Sequence, residues 1–234
     1  MFPQHIAIIP DGNRRWGKQQ GIGANIGHEK GAENFREISR AAFGHGVPWI
    51  TFWAASEDNL AKRSRAEVSF LAHLLSREIS SAAFLNEMEE NQISVRFIGT
   101  WDTILRNAKL NRAINTIQEK TAGFKKFHLT ILFGYDGRTE MLEAVKKMMR
   151  ETAKKIDRGS FARALWTGTL PSVDLVIRTG EEDAGWCHWS AGFMMWQAAQ
   201  SEFYTTKTLW PDFSRPELER VFKEYSRRER RFGK

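Results

Sequence analysis

The sequence predicts an α/β fold: a single domain over residues 1–234, with a mostly parallel central sheet flanked by helices. Three observations lead there. Short, near-continuous apolar runs rich in β-branched and aromatic residues recur along the chain, as expected of strands buried on both faces. Between them, apolar residues return every three, four or seven positions, which marks one buried helical face. The 234 residues, 41% of them hydrophobic, suffice for one core, and 6 Pro with no Gly- or Ser-rich tract leave no linker at which to divide it.

In chain order, strands are expected at residues 5–9, 49–53, 94–98, 128–133 and 173–177. The intervening helices carry apolar faces made by Phe35, Ile38 and Ala42, then by Val68, Leu71, Leu75 and Ile79, then by Leu142, Val145 and Met149. A last amphipathic helix is signalled by Leu218, Val221, Phe222 and Tyr225, with Pro216 near its start and Gly233 beyond its end. In such folds ligands bind beyond the carboxyl ends of the strands. The residues that follow each strand are therefore where chemistry is expected, and the longest candidate loop runs from 180 to 192.

Composition narrows the functional classes. Lys and Arg outnumber Asp and Glu, 35 to 28, for a net charge of +7. Such a surface attracts polyanions, whether nucleic acid, acidic headgroups or phosphorylated metabolites, and charge alone does not choose among them. Basic residues cluster at 227–234, where a solvated helix end is the simplest account. The chain has no apolar run of the roughly 18 residues that span a bilayer, and its start lacks a basic region followed by an apolar core. A soluble, cytoplasmic protein is expected. The single cysteine, Cys187, excludes an intrachain disulfide and a multi-cysteine zinc site.

The first strand ends in Pro10-Asp11-Gly12-Asn13-Arg14-Arg15-Trp16. Asp11 offers Mg²⁺ a hard oxygen, Gly12 lets backbone approach a phosphate, and Arg14 and Arg15 can clamp its oxygens. A diphosphate with its metal would satisfy all of them. Composition alone equally allows a turn followed by an ordinary basic helix start.

The order of residues 5–16 resembles the opening signature of the cis-prenyltransferases, the undecaprenyl diphosphate synthase family. Further resemblances follow in the family's order at Gly27-His28 with Gly31, Ser56 to Arg63, Gly134 to Arg138, Asp174 to Gly180, Glu202 to Tyr204, Leu209 to Phe213 and Arg230 to Gly233. The resemblance implies an enzyme that condenses isopentenyl diphosphate with an allylic isoprenoid diphosphate, using Mg²⁺ and creating a new cis double bond. It implies that Asp11 binds the metal, with Glu202 as the second acidic ligand. Gly12, Asn13, Arg14 and Arg15 then cradle diphosphate, Trp16 walls the site and His28 assists the leaving diphosphate. Ser56 and Asn59 lie near the proton to be removed, followed by Arg63, while Arg178 and Ser190 face isopentenyl diphosphate. Arg231 and Gly233 resemble an element that reaches a neighbouring subunit, which implies a homodimer. A greasy product and a basic surface favour peripheral contact with a membrane, and nucleic acid is not an expected partner.

The chain also departs from that pattern. Ala24 stands where the family usually has an arginine for the allylic diphosphate, and Leu60 replaces a tryptophan beside the reacting carbons. No Lys or Arg occurs from Thr179 to Thr206, where a second isopentenyl-site arginine is expected and Glu181, Glu182 and Asp183 stand instead. His188 offers only partial charge there, its ordinary pKa being about 6.5. One Cys and one His, Cys187 and His188, do not close a zinc shell. Trp186 and Trp189 read as lid or tunnel-wall residues, or as core. These departures keep open a second reading, an atypical member that joins two allylic diphosphates into a short or irregular product, and a third, a non-catalytic anion-binding partner.

Overall fold

The structure is a computed structural model that describes residues 2–151, 155–182 and 189–228. Six parallel strands form one sheet in the order β3-β4-β2-β1-β5-β6. They are β1 (His5–Ile9), β2 (Trp49–Ser56), β3 (Ile93–Ile98), β4 (Phe127–Tyr135), β5 (Leu175–Arg178) and β6 (Glu202–Thr205). The last is an addition to the five strands expected, a four-residue edge strand whose half-buried residues carry little apolar signal. The helices are α1 (Asn13–Gln19), α2 (Ala24–Gly44), α3 (Glu57–Lys62), α4 (Arg65–Ser80), α5 (Ala82–Glu90), α6 (Trp101–Leu105), α7 (Ala108–Thr121), α8 (Gly137–Arg150), α9 (Arg158–Ala164) and α10 (Arg215–Arg227). No helix among the described residues is long and apolar enough to cross a membrane.

Strand alternation sorts the core into two layers. Ile6 and Ile8 join Ile38, Phe52, Ile131 and Phe222 on one side of the sheet, and Ala7 and Ile9 join Trp53, Tyr135, Val176 and Phe193 on the other. At full burial, each such Ile side chain contributes about 1.5–3 kcal/mol. One helical face is corrected. Leu142, Val145 and Met149 recur at helical spacing, but all three are exposed, and α8 buries Glu140, Ala144 and Met148 instead. Glu140 is buried because its carboxylate accepts hydrogen bonds from the Tyr135 hydroxyl and from the Thr167 amide and hydroxyl.

The strand order fixes where a ligand can enter. β1 pairs with β2 on one side and β5 on the other, so the chain's connections diverge at β1 and leave a crevice beyond its carboxyl end. The Asp11–Arg15 turn sits in that crevice.

Candidate active site

The turn after β1 is anchored through its backbone. The Asp11 carbonyl accepts from the Thr179 hydroxyl and from the Trp210 amide, each at 2.9 Å. Gly12 has φ +113, and a Cβ there would lie 2.8 Å from Leu209 Cδ2, so both conformation and space require glycine. Gly180, with φ +69, approaches as closely from β5: a Cβ there would lie 2.7 Å from the Asp11 carbonyl oxygen. Gly27 lets α1 lie against α2, its missing Cβ falling 2.1 Å from the Asn13 carbonyl oxygen.

These close approaches frame a cavity of about 1130 Å³. It is lined by Asp11, Gly12, Asn13, Arg14, Arg15, His28, Ser56, Asn59, Arg63, Arg178 and Ser190, so the structure gathers eleven residues scattered over 180 positions of sequence. Arg14 and Arg63 converge on Glu67 at 3.8 and 3.2 Å, and His28 Nε2 lies 3.3 Å from the same Glu67 oxygen. Burial pulls the His28 pKa below its ordinary value despite Glu67, so at neutral pH the ring is uncharged and offers a hydrogen bond rather than a positive charge. Across the cavity, Arg15 reaches Asp11 at 3.2 Å and donates to the Gly180 carbonyl at 2.5 Å. Arg178 donates to the Ser190 hydroxyl at 2.6 Å.

Ser56 and Asn59 form a helix cap. The Ser56 hydroxyl oxygen accepts from the Asn59 amide at 3.0 Å, and the Asn59 side chain reaches back to the Ser56 amide at 3.5 Å. The cap sets both side chains at the cavity wall and leaves the serine proton available to a ligand. The buried Asn13 Oδ1 has no hydrogen-bond partner among the described residues.

A second, apolar chamber of about 110 Å³ lies beneath, walled by Phe35, Phe52, Phe84, Leu75 and Trp210. It shares Pro10, Asn13, His28 and Ala54 with the polar cavity, so the two are adjacent compartments of one site.

Not every expected residue is here. Trp16 follows Arg15 on α1 but is turned about 100° around the helix. Its indole donates to Asp212 at 2.8 Å, outside the cavity lining, so Trp16 is corrected from a wall of the site to an anchor of α1. Glu202 begins β6 level with Leu175, three residues before the level of Arg178, and so lies about 10 Å back along the sheet. It pairs with Arg228 and does not join Asp11 within one chain. Leu60 is buried in the core against Gly134 rather than facing the cavity, so loss of an aromatic there leaves the lining untouched. Arg231 and Gly233, with Trp186, Cys187 and His188, lie outside the described residues. Ala24 does line the cavity, and so does Trp189, one of the two tryptophans read as lid or tunnel wall; Lys18 and Asp58 line it too, and sequence reasoning did not assign them to substrate. Lys18 was legible in principle, standing one helical turn beyond Arg14.

An arginine-lined cavity at the carboxyl ends of parallel strands, opening on an apolar chamber, suits a molecule with an anionic head and a hydrocarbon tail. Comparison with known proteins specifies the class further. Residues 9–233 match a family model described as putative undecaprenyl diphosphate synthase. An isoprenyl transferase of Aquifex pyrophilus is 36% identical, covering 100% of this chain and 96% of the relative. A tritrans,polycis-undecaprenyl-diphosphate synthase (geranylgeranyl-diphosphate specific) of Thermoplasma acidophilum is 35% identical over 99% of this chain and 89% of the relative. Among solved structures, lavandulyl diphosphate synthase from Lavandula x intermedia, in complex with dimethylallyl diphosphate, superposes with a TM-score of 0.91 at 31% identity, covering 100% of this chain and 99% of that one. The chain belongs to the undecaprenyl diphosphate synthase family and is a prenyltransferase, an enzyme that transfers alkyl groups other than methyl.

Proposed function

We propose that the enzyme condenses isopentenyl diphosphate with a short allylic diphosphate in a Mg²⁺-dependent reaction that creates a new cis double bond. The observation that carries this reading is the joining of the guanidinium-lined cavity to the apolar chamber. An apolar cavity of about 150 Å³ accepts benzene. The chamber, about 110 Å³ and partly open, is of the same order, so it receives the first part of the allylic hydrocarbon chain.

Asp11 supplies one hard carboxylate oxygen, which fits a cation that keeps several waters and takes the rest of its ligands from phosphate. Bound there, Mg²⁺ would neutralise charge on the departing diphosphate. Arg14, Arg63 and the uncharged His28 bind and orient that diphosphate, and electrostatic stabilisation of this kind is commonly the largest catalytic contribution. Arg15, Arg178 and Ser190 position the second diphosphate. Asn59 is a weak base, so it orients rather than abstracts, and a phosphate oxygen takes the proton lost from the coupled product. A homodimer belongs to the same reading, with the exposed apolar stripe of Leu142, Val145 and Met149 as a surface that favours association. A cytoplasmic enzyme touching membranes only at their surface completes it.

A second reading has specific support: two allylic five-carbon diphosphates coupled into an irregular ten-carbon product. The small chamber and the full-length likeness to lavandulyl diphosphate synthase favour it. Incubating the protein with Mg²⁺, labelled isopentenyl diphosphate and allylic diphosphates of five to twenty carbons separates the two. Label in a short product supports condensation with isopentenyl diphosphate. A ten-carbon product from dimethylallyl diphosphate alone, with no label taken up from any mixture, supports irregular coupling, and no product in any mixture refutes both.

A further inference from the structure

Ser56 and Asn59 are presented by α3, a helix of six residues. A helix that short does not hold its shape alone in water, so its place at the cavity wall depends on what ties it to the rest of the fold. One tie is Leu60, buried against Gly134. The other is Glu57, which does not line the cavity and reaches instead to two other turns of the chain.

The Glu57 carboxylate is shared between two neutral hydroxyls. Its Oε1 accepts from the Thr100 hydroxyl, in the turn between β3 and α6, at 3.0 Å, and its Oε2 accepts from the Thr139 hydroxyl, in the first turn of α8, at 2.7 Å. The Thr100 hydroxyl also lies 3.0 Å from the Gly134 carbonyl, but the Thr100 amide already donates there at 2.9 Å, so the proton goes to the carboxylate, the stronger acceptor. Thr139 is itself fixed, because its amide donates to Asp136, the cap of α8. One half-buried side chain thus clamps together the segments that leave the carboxyl ends of β2, β3 and β4, three neighbours in the sheet.

We propose that Glu57 is a positioning residue for the prenyl transfer, the reading on which this inference rests: through Thr100 and Thr139 it holds α3 in place and so fixes Ser56 and Asn59 at the cavity wall. It touches neither substrate. Arg63, at the far end of α3, is held separately by Glu67 of α4 at 3.2 Å, so losing the clamp should disturb Ser56 and Asn59 while sparing diphosphate binding.

Amide hydrogen exchange on the full chain tests the clamp without reference to turnover. In Glu57→Ala the amides of residues 59–63 should exchange at least about tenfold faster, with those of α2 unchanged. Turnover is read in Mg²⁺ from dimethylallyl diphosphate, with and without isopentenyl diphosphate. There kcat should fall on the order of 10–100-fold, with KM within about threefold of wild type. Glu57→Gln keeps the reach, its carbonyl accepting from one hydroxyl and its amide donating to the other, and should restore most of kcat. Wild-type exchange in Glu57→Ala, a loss carried by KM, or a Gln variant as slow as the Ala variant overturns the assignment. Should Glu57→Ala melt early, Thr139→Val removes one donor with its shape kept and should lower kcat in the same way; an unchanged kcat there rejects the clamp. A wild-type chain that turns over neither mixture refutes the prenyl-transfer reading and leaves the exchange rates to decide the clamp.

Discussion

Replacing Gly27 by alanine tests whether the placement of Asp11 to Arg15 depends on the packing of two helices. A Cβ at Gly27 falls 2.1 Å from the Asn13 carbonyl oxygen, 3.0 Å from its carbon and 3.3 Å from the Gly17 amide nitrogen, all backbone atoms that cannot rotate away. Ordinary contact needs a separation of about 3.5 Å, so α1 has to move away from α2 by roughly 1 Å or more. Asn13 is the first residue of α1, and the turn carrying Asp11 and Gly12 leads directly into it. The displacement therefore passes to Arg14, Arg15 and the buried amide of Asn13. Overpacking of this kind costs about 1–3 kcal/mol, and for a chain of this size each kcal/mol lowers the melting temperature by about 2–4 °C. Misplacing catalytic groups by about 1 Å costs on the order of 100-fold in rate. Gly27→Ala should accordingly melt several degrees early and lose about two orders of magnitude in kcat/KM, measured by calorimetry and by product formation. Gly44→Ala, at the exposed end of the same helix with nothing within 4 Å, serves as the control and should match the wild type in both. A Gly27→Ala enzyme with wild-type melting and turnover would refute the reasoning.

Two further outcomes follow from the same geometry. Asp11→Ala should abolish Mg²⁺-dependent turnover with little change in melting temperature, because the turn is anchored through its carbonyl and not its carboxylate; retained activity would remove Asp11 from the mechanism. His5, buried between the Pro171 carbonyl and the Thr51 hydroxyl, has its pKa pushed down to about 4 by burial. Below pH 6.5 the unfolded chain takes up a proton that the folded chain refuses, so stability falls as pH drops toward 4, by about 3 kcal/mol from this group. Urea midpoints measured between pH 7 and 4.5 should show that slope, and His5→Gln should flatten it; an unchanged slope would reject His5 as its source.

What the sequence settled by itself is whatever depends on neighbours along the chain. The five apolar strands, the α/β class and the Asp11-to-Arg15 turn could be read directly, because strand burial and turn chemistry are written in consecutive residues. The wider list of site residues came from motif resemblance, and most of it lines one cavity. Periodicity tells which residues share a helical face but not whether anything covers that face, so Leu142, Val145 and Met149 looked buried and are exposed. Consecutive motif letters do not share a direction either: Arg15 faces the cavity while Trp16 turns to Asp212. Only the tertiary structure could place Glu202 away from Asp11, seat Glu181 on Arg178 beside a turn more than 160 residues earlier in the chain, and wall the apolar chamber with Phe35, Phe84 and Trp210. Each of these depends on the order in which parallel strands lie side by side, and that order is decided by which faces pack together rather than by any local run of residues.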